Sequence, residues 1–330
     1  MPPQPRPRYV IKLVVLVGIV VTAFSWLAPI DRIAAHLVQA DPTFLLPAVL
    51  CIAAATLLDA VLLRSIVRSV GDRIGLFEAL TSLLGAFAAT ILIGGISWTA
   101  VLYNRLRRAG LDRDSSAQTV VTKVSVPGIV HVTLLTVAAF QYVQLSWGGI
   151  TVVGTVASIL TVALLFSLLF VFHIPSGMST RIHRQLPDKI RGRLTDSTPI
   201  RDALRRLEDE RSLTARFLGL NLATVFCQGL ALVFLFGAFH TRVGLGTAMA
   251  GYVLSTLVGL ASMLPGGLVG FELTMVSAFY LVGVPAGIAI GVVLVFRLFQ
   301  FWVPVILGSF TLTVEYRTIR RQLSERLGTD

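Results

Sequence analysis

Apolar residues in this chain run for twenty or more positions at a stretch, with neither the alternation of a strand nor the three-and-four spacing of a surface helix. Six such runs cover Val10–Ile30, Thr43–Leu63, Lys123–Leu145, Ile150–Phe172, Leu213–Phe239 and Ala286–Phe310. Each reaches the roughly 20 residues that a helix needs to cross a bilayer. Two further apolar segments are interrupted. Ala79–Leu102 carries Gly85, Gly94 and Gly95, and Thr247–Val284 carries Pro265-Gly266-Gly267 near its middle. The pattern predicts an all-α polytopic membrane protein of six full spans and two broken helical hairpins.

Basic residues fix the expected orientation. Of 28 Lys and Arg, 25 fall in five segments: the N-terminal tail together with Lys12, Arg64–Glu78, Tyr103–Lys123, His173–Arg216 and the C-terminal tail. The positive-inside rule places all five in the cytoplasm, with both termini inside. Ala79–Leu102 then has cytoplasmic loops on both sides, and its 24 residues cannot cross twice. It is expected to enter and leave from the cytoplasm, turning near Ile93-Gly94-Gly95. Thr247–Val284 is expected to enter from the other face and turn at Pro265-Gly266-Gly267. Opposed broken hairpins resemble the inverted arrangement of many secondary transporters.

The expected organisation is a tail at 1–9, one integral membrane domain at 10–310 and a tail at 311–330. The domain includes a cytoplasmic loop at 173–212 with an amphipathic helix at about 199–211. Ser197 or Thr198 caps that helix, Pro199 suits its first turn, and Ile200, Ala203, Leu204 and Leu207 form its apolar stripe. It reads as a helix lying on the inner leaflet or as a docking element for a partner enzyme. Arg6, Arg8 and Lys12, followed by an apolar run to Leu27, resemble a signal peptide, but without a small-residue cleavage site an uncleaved first span is expected.

Composition agrees: 55% of residues are hydrophobic, 14% are charged, and mean hydropathy is +0.81. The net charge of +11 belongs to the loops and implies no nucleic-acid partner. Cys51 and Cys227, both in apolar runs, read as packing residues. No phosphate-binding loop, hydrolase elbow or metal-ligand spacing occurs, so neither enzyme chemistry, a metal nor a cofactor is expected.

Candidate chemistry concentrates at two charges. Glu272 follows the Pro-Gly-Gly break, and Arg297 lies 25 positions later inside an apolar run. An ionisable group in hydrocarbon costs roughly 2.5–3.5 kcal/mol on insertion scales and is kept when paired, hydrated or used. Broken backbone at membrane depth needs cover from protein or a wet cavity. Two readings stand for the pair: Glu272 and Arg297 bind a headgroup, or they form an ion pair joining two helices. Freed N–H groups at Gly266 and Gly267 offer an anion site or a plain tight turn. Gly94, Gly95 and Trp98 form the opposing hairpin tip or a close helix contact. Arg105, Arg107 and Arg108 collect anionic headgroups or set topology. Asp59, about one turn from Arg64, reads as structural, and His131 as hydrogen-bonded packing.

Pro265-Gly266-Gly267-Leu268, Phe271-Glu272, Gly283-Val284-Pro285 and Phe296-Arg297-x-x-x-Phe301-Trp302-x-Pro304 together resemble the flippase-domain family. That family includes the membrane half of lysylphosphatidylglycerol synthase, also called the multiple peptide resistance factor. Tyr103-Asn104-Arg105-Leu106-Arg107-Arg108-Ala109-Gly110-Leu111 is similar to the family's basic loop. The resemblance covers about Ile11 to Thr318. It implies movement of an anionic or aminoacylated phospholipid between leaflets of a bacterial cytoplasmic (inner) membrane. Gly267-Leu268-Val269-Gly270 departs from the family's Gly-Leu-Gly. No synthetase domain follows, so a lipid-synthesis enzyme in trans is an expected partner, as is a homo-oligomer. The alternative is a non-transporting membrane partner of such an enzyme.

Overall fold

A computed structural model describes residues 40–93, 95–145, 211–262 and 264–311. The expected spans Val10–Ile30 and Ile150–Phe172, the tail 1–9, residues 312–330, the loop at 173–210 with nearly all of its amphipathic helix, and Gly94 lie outside these residues.

All regular structure among the described residues is helical. A 3-10 turn at Pro42–Phe44 leads into α1, Leu45–Ser69. Then come α2, Leu76–Ile93, α3, Gly95–Arg108, and α4, Arg113–Leu145. After them follow α5, Arg211–Ala238, α6, Leu245–Ala261, and α7, Gly270–Leu281. The last helix, α8, starts as Ala286–Arg297, passes through a π-helical turn at Leu298–Trp302, and runs on to Thr311. Among the described residues four helices are long and apolar enough to cross a membrane: Pro42–Ser69, Arg113–Ala138, Arg211–Ala238 and Ala286–Thr311. They coincide with the four expected spans that fall among the described residues.

Hydropathy places the helices but not their ends. α1 continues six residues past Leu63, through Arg64 and Arg68, and α4 begins ten residues before Lys123. The expected basic loop at Tyr103–Lys123 therefore shrinks to residues 109–112. Local capping explains it. Gly110 takes φ +98, and the amides of Gly110 and Leu111 return to the carbonyls of Arg107 and Leu106. That is a Schellman ending, which favours glycine because left-handed backbone crowds a Cβ. The Asp112 carboxylate then accepts the Ser115 amide at 2.6 Å and starts α4.

The described residues divide into two compact units. One holds 40–57, 77–105 and 224–311; the other holds 58–76, 106–145 and 211–223.

In the first unit both interrupted segments fold back as hairpins. Arg105 on α3 lies against Gly85 on α2 and donates to the Thr81 carbonyl, which ties the two helices together. α6 and α7 pair about Pro265: Gly259 meets Phe271, and Gly251 meets Phe279. A Cβ on Gly251 would stand 2.9 Å from the Phe279 ring, so glycine is what permits the close approach. α8 touches both hairpins. Phe301 lies against Gly266, and Gly308 sits directly on the Leu84 carbonyl.

In the second unit Leu62, Ile66, Val126 and Phe217 form a buried core from α1, α4 and α5. Asp59, expected to snorkel beside Arg64, instead forms an ion pair with Lys123 on α4. His131 Nδ1 donates to the Pro127 carbonyl at 2.6 Å, the packing role expected of it.

Candidate functional site

The break between α6 and α7 begins with backbone that only special residues adopt. Gly266 and Gly267 have φ of +65° and +66°, and Val269 has φ +71° with ψ −56°. A β-branched residue at positive φ stores roughly 1–3 kcal/mol of strain and persists where its surroundings over-determine it. Here they do. A Cβ on Gly267 would stand 3.2 Å from the Gly259 backbone, and one on Gly270 would stand 2.9 Å from Ser262 Cβ.

This turn sets Glu272 in the first turn of α7, where the positive end of the helix dipole favours a carboxylate. Arg297 is the last residue before the π-helical turn of α8. Glu272 is 5% exposed and Arg297 4%. Arg297 Nε donates to Glu272 Oε1 at 2.6 Å, so the two charges meet directly. Such a charge-assisted bond offsets the desolvation that either group alone would suffer.

The rest of the guanidinium is also engaged. One terminal nitrogen donates to the Gly266 carbonyl at 3.0 Å, and the other to Gln300 Oε1 at 3.2 Å. Its carbon lies 4.5 Å from the Phe271 ring centre and 4.3 Å from that of Phe301, so both faces carry an aromatic ring. Tyr252, Phe271 and Phe296 make a buried aromatic group behind it, with Phe271 and Phe296 stacked. Arg297 thus ties the α7 start, the glycine turn and the π-helical turn into one assembly.

Glu272 is half used. Oε2 is buried and has no hydrogen-bond partner among the described residues. A buried oxygen of this kind can accept a bond from a donor that reaches it or carry a proton.

The remaining expected residues separate. Gly95 opens α3 and Trp98 is half-buried on that helix. Arg105, expected either to collect headgroups at the inner leaflet or to set topology, is 5% exposed and bonded to α2. Its position opposite Gly85, which leaves room for the guanidinium, accounts for this. Arg107 and Arg108 are exposed, and Arg107 donates to the Leu111 carbonyl at 2.6 Å.

Sequence reasoning missed Gln300, which carries no charge and falls in the unread positions after Arg297. It also missed the Asp59–Lys123 pair. Lys123 is 3% exposed on the buried face of α4, not at the loop edge where hydropathy put it.

A family model described as lysylphosphatidylglycerol synthase TM region matches residues 9–308. The chain is similar to a UPF0104 membrane protein of Pyrococcus horikoshii, 21% identical over 90% of this chain and 95% of the relative. It is also similar to a UPF0104 membrane protein of Methanothermobacter thermautotrophicus, 33% identical over 27% of each chain. The phosphatidylglycerol lysyltransferase of Staphylococcus haemolyticus is 29% identical over 34% of this chain, a stretch that is only 13% of that enzyme.

Proposed function

Because the chain belongs to the lysylphosphatidylglycerol synthase TM region family, we propose that it moves a polar-headed lipid between the leaflets of a cytoplasmic membrane. The observation that carries this reading is the buried Glu272 Oε2, left without a partner among the described residues beside a broken helix. A chain keeps an ionisable group at such a place when it is used.

In this reading the headgroup enters beside Pro265, Gly266 and Gly267, and a headgroup donor binds Glu272 Oε2. Arg297 holds the turn and offsets the charge of the carboxylate. The tip at Gly94 and Gly95, with Trp98, lines the path from the other hairpin. Arg107 and Arg108 attract anionic lipid at the inner surface, at about 1 kcal/mol for each basic residue. Acyl chains stay in the bilayer throughout. The substrate is an anionic or aminoacylated phospholipid, the two hairpins enter from opposite faces, and both termini lie inside. The lysyltransferase named above suggests the headgroup class; its activity belongs to that much longer protein.

Leaflet exchange of a fluorescent phosphatidylglycerol in liposomes holding the purified chain tests the reading. Exchange well above protein-free vesicles, reduced in Glu272→Gln, is the expected result. Equal rates for the native protein and Glu272→Gln/Arg297→Gln, at equal folded fractions, would overturn it.

One observation favours the rival, a non-transporting partner of a lipid enzyme. Every guanidinium nitrogen of Arg297 already has a protein acceptor, as a pure staple would require. That reading expects no exchange, and crosslinks from the loop at 173–216 to a partner.

A further inference from the structure

The second unit holds a buried ionisable pair that lipid handling at Glu272 does not use. Lys123 on α4 and Asp59 on α1 form an ion pair inside two of the membrane-length helices. Lys123 is 3% exposed and Asp59 is half-buried. Removing two charges from water for structure alone is seldom favourable, and ionisable groups at membrane depth mark ion and proton pathways.

Three features surround the pair. Thr119 and Ser116 lie four and seven residues before Lys123, which puts all three on one helix face. Their hydroxyl oxygens are buried and have no hydrogen-bond partner among the described residues. They are alternative acceptors for an ammonium group that leaves Asp59. Pro127, four residues after Lys123, has no N–H to return to the Lys123 carbonyl, so α4 is weakest at this level. His131, on the same face, bonds to the Pro127 carbonyl and lies within electrostatic reach of both charges. The other charges on the packed helices are Arg64 on α1, whose Nε is buried, and Arg68 on α1, Arg113 and Asp114 on α4, and Arg211 and Arg216 on α5, all exposed. Asn221 adds a buried, unpartnered oxygen from α5.

We propose that Asp59 and Lys123 form a proton-binding site that couples a proton gradient to the lipid exchange proposed above, on which this inference rests. A proton from the aqueous phase adds to the Asp59 carboxylate, and the pair goes from neutral to a single positive charge. Lys123 keeps its own proton and moves to the hydroxyls of Thr119 and Ser116. The change occurs one turn from the proline, where α4 bends at least cost. Release of the proton on the other side restores the ion pair.

The test uses the full chain in phosphatidylethanolamine/phosphatidylglycerol liposomes and reads, for each variant, the ratio of labelled-lipid exchange with and without a pH gradient. One pH unit carries the free energy of a tenfold change in an equilibrium. The native ratio should be about five per unit, Asp59→Asn should give a ratio of one, and Asp59→Glu should restore a response with a shifted midpoint. A native ratio of one, an unchanged ratio in Asp59→Asn, or a response to a sodium gradient in place of the pH gradient would overturn the proposal. Infrared difference spectra decide the site without transport. A carboxylic-acid band that grows in the native protein as pH falls and is absent from Asp59→Asn supports it, and a native protein without that band overturns it. No exchange under any gradient, with the band present, refutes the lipid-transport reading and the coupling while leaving the proton site standing.

Discussion

Arg297 Nε stands 2.6 Å from Glu272 Oε1, while the other oxygen of that carboxylate meets no donor among the described residues. The pair is therefore asymmetric. The cation is committed at three nitrogens and two faces, and the anion keeps one acceptor in reserve. Substitutions at the two positions should not be equivalent.

Glu272→Gln keeps the shape and one acceptor but leaves the charge of Arg297 uncompensated in a buried site. Removing one member of a buried pair costs about 3–5 kcal/mol, and Arg297→Gln should cost at least as much, because it also releases Gly266 and Gln300. The double variant should fall well short of the sum. Thermal unfolding in detergent, run as a double-mutant cycle, reads the coupling.

Gly266→Ala should destabilise for two reasons. Left-handed backbone costs a residue with a Cβ about 1–2 kcal/mol, and here the Cβ would also strike the Phe301 ring. Gly71→Ala is the comparison: φ is +94°, and nothing lies within 4 Å of the added atom. Unfolding temperatures should drop further for Gly266→Ala, and the difference measures the Phe301 contact.

Phe301→Leu keeps an apolar side chain but removes one aromatic face from Arg297. The expected loss is about 0.5–2 kcal/mol beyond packing. Phe296→Leu, which removes a buried ring from the same group without exposing the guanidinium, sets the packing baseline. Paired with Arg297→Gln, Phe301→Leu should show coupling and Phe296→Leu little.

Asp112 supplies a pH dependence at the start of α4. Bonds from the Ser115 amide and hydroxyl, together with Arg107 nearby, hold its carboxyl below the ordinary carboxylate value. A depressed folded value means that the cap is fully present above the unfolded value of 3.8 and is lost as pH falls through the folded one. Hydrogen-exchange protection at Ser115 should decline over that acid range and be absent at all pH values in Asp112→Ala.

Much of the site was readable because its chemistry is local. Pro265-Gly266-Gly267 announces a break, and Glu272 and Arg297 stand out against hydrocarbon-compatible neighbours. Their pairing was one of two readings, since 25 residues of sequence do not fix a distance. The interruptions of both apolar segments were legible from the glycines and the proline within them. Arg105 was misread because a juxtamembrane arginine and a buried one look alike until the glycine opposite it is known. Lys123 was misplaced because a hydropathy window ends a span at its first charge, whereas the helix ends where its backbone bonds end. Its partner, Asp59, is 64 residues away, and no local pattern joins them.

The π-helical turn at Leu298–Trp302 has a consequence for the whole last helix. It admits one surplus residue, which turns everything downstream by about 100° relative to an unbroken rod. A single rod thereby gains two facings. Phe301 is aimed at one folded-back segment, and Gly308, two turns later, at the other. The wide turn does the work of a joint without opening the backbone to the lipid.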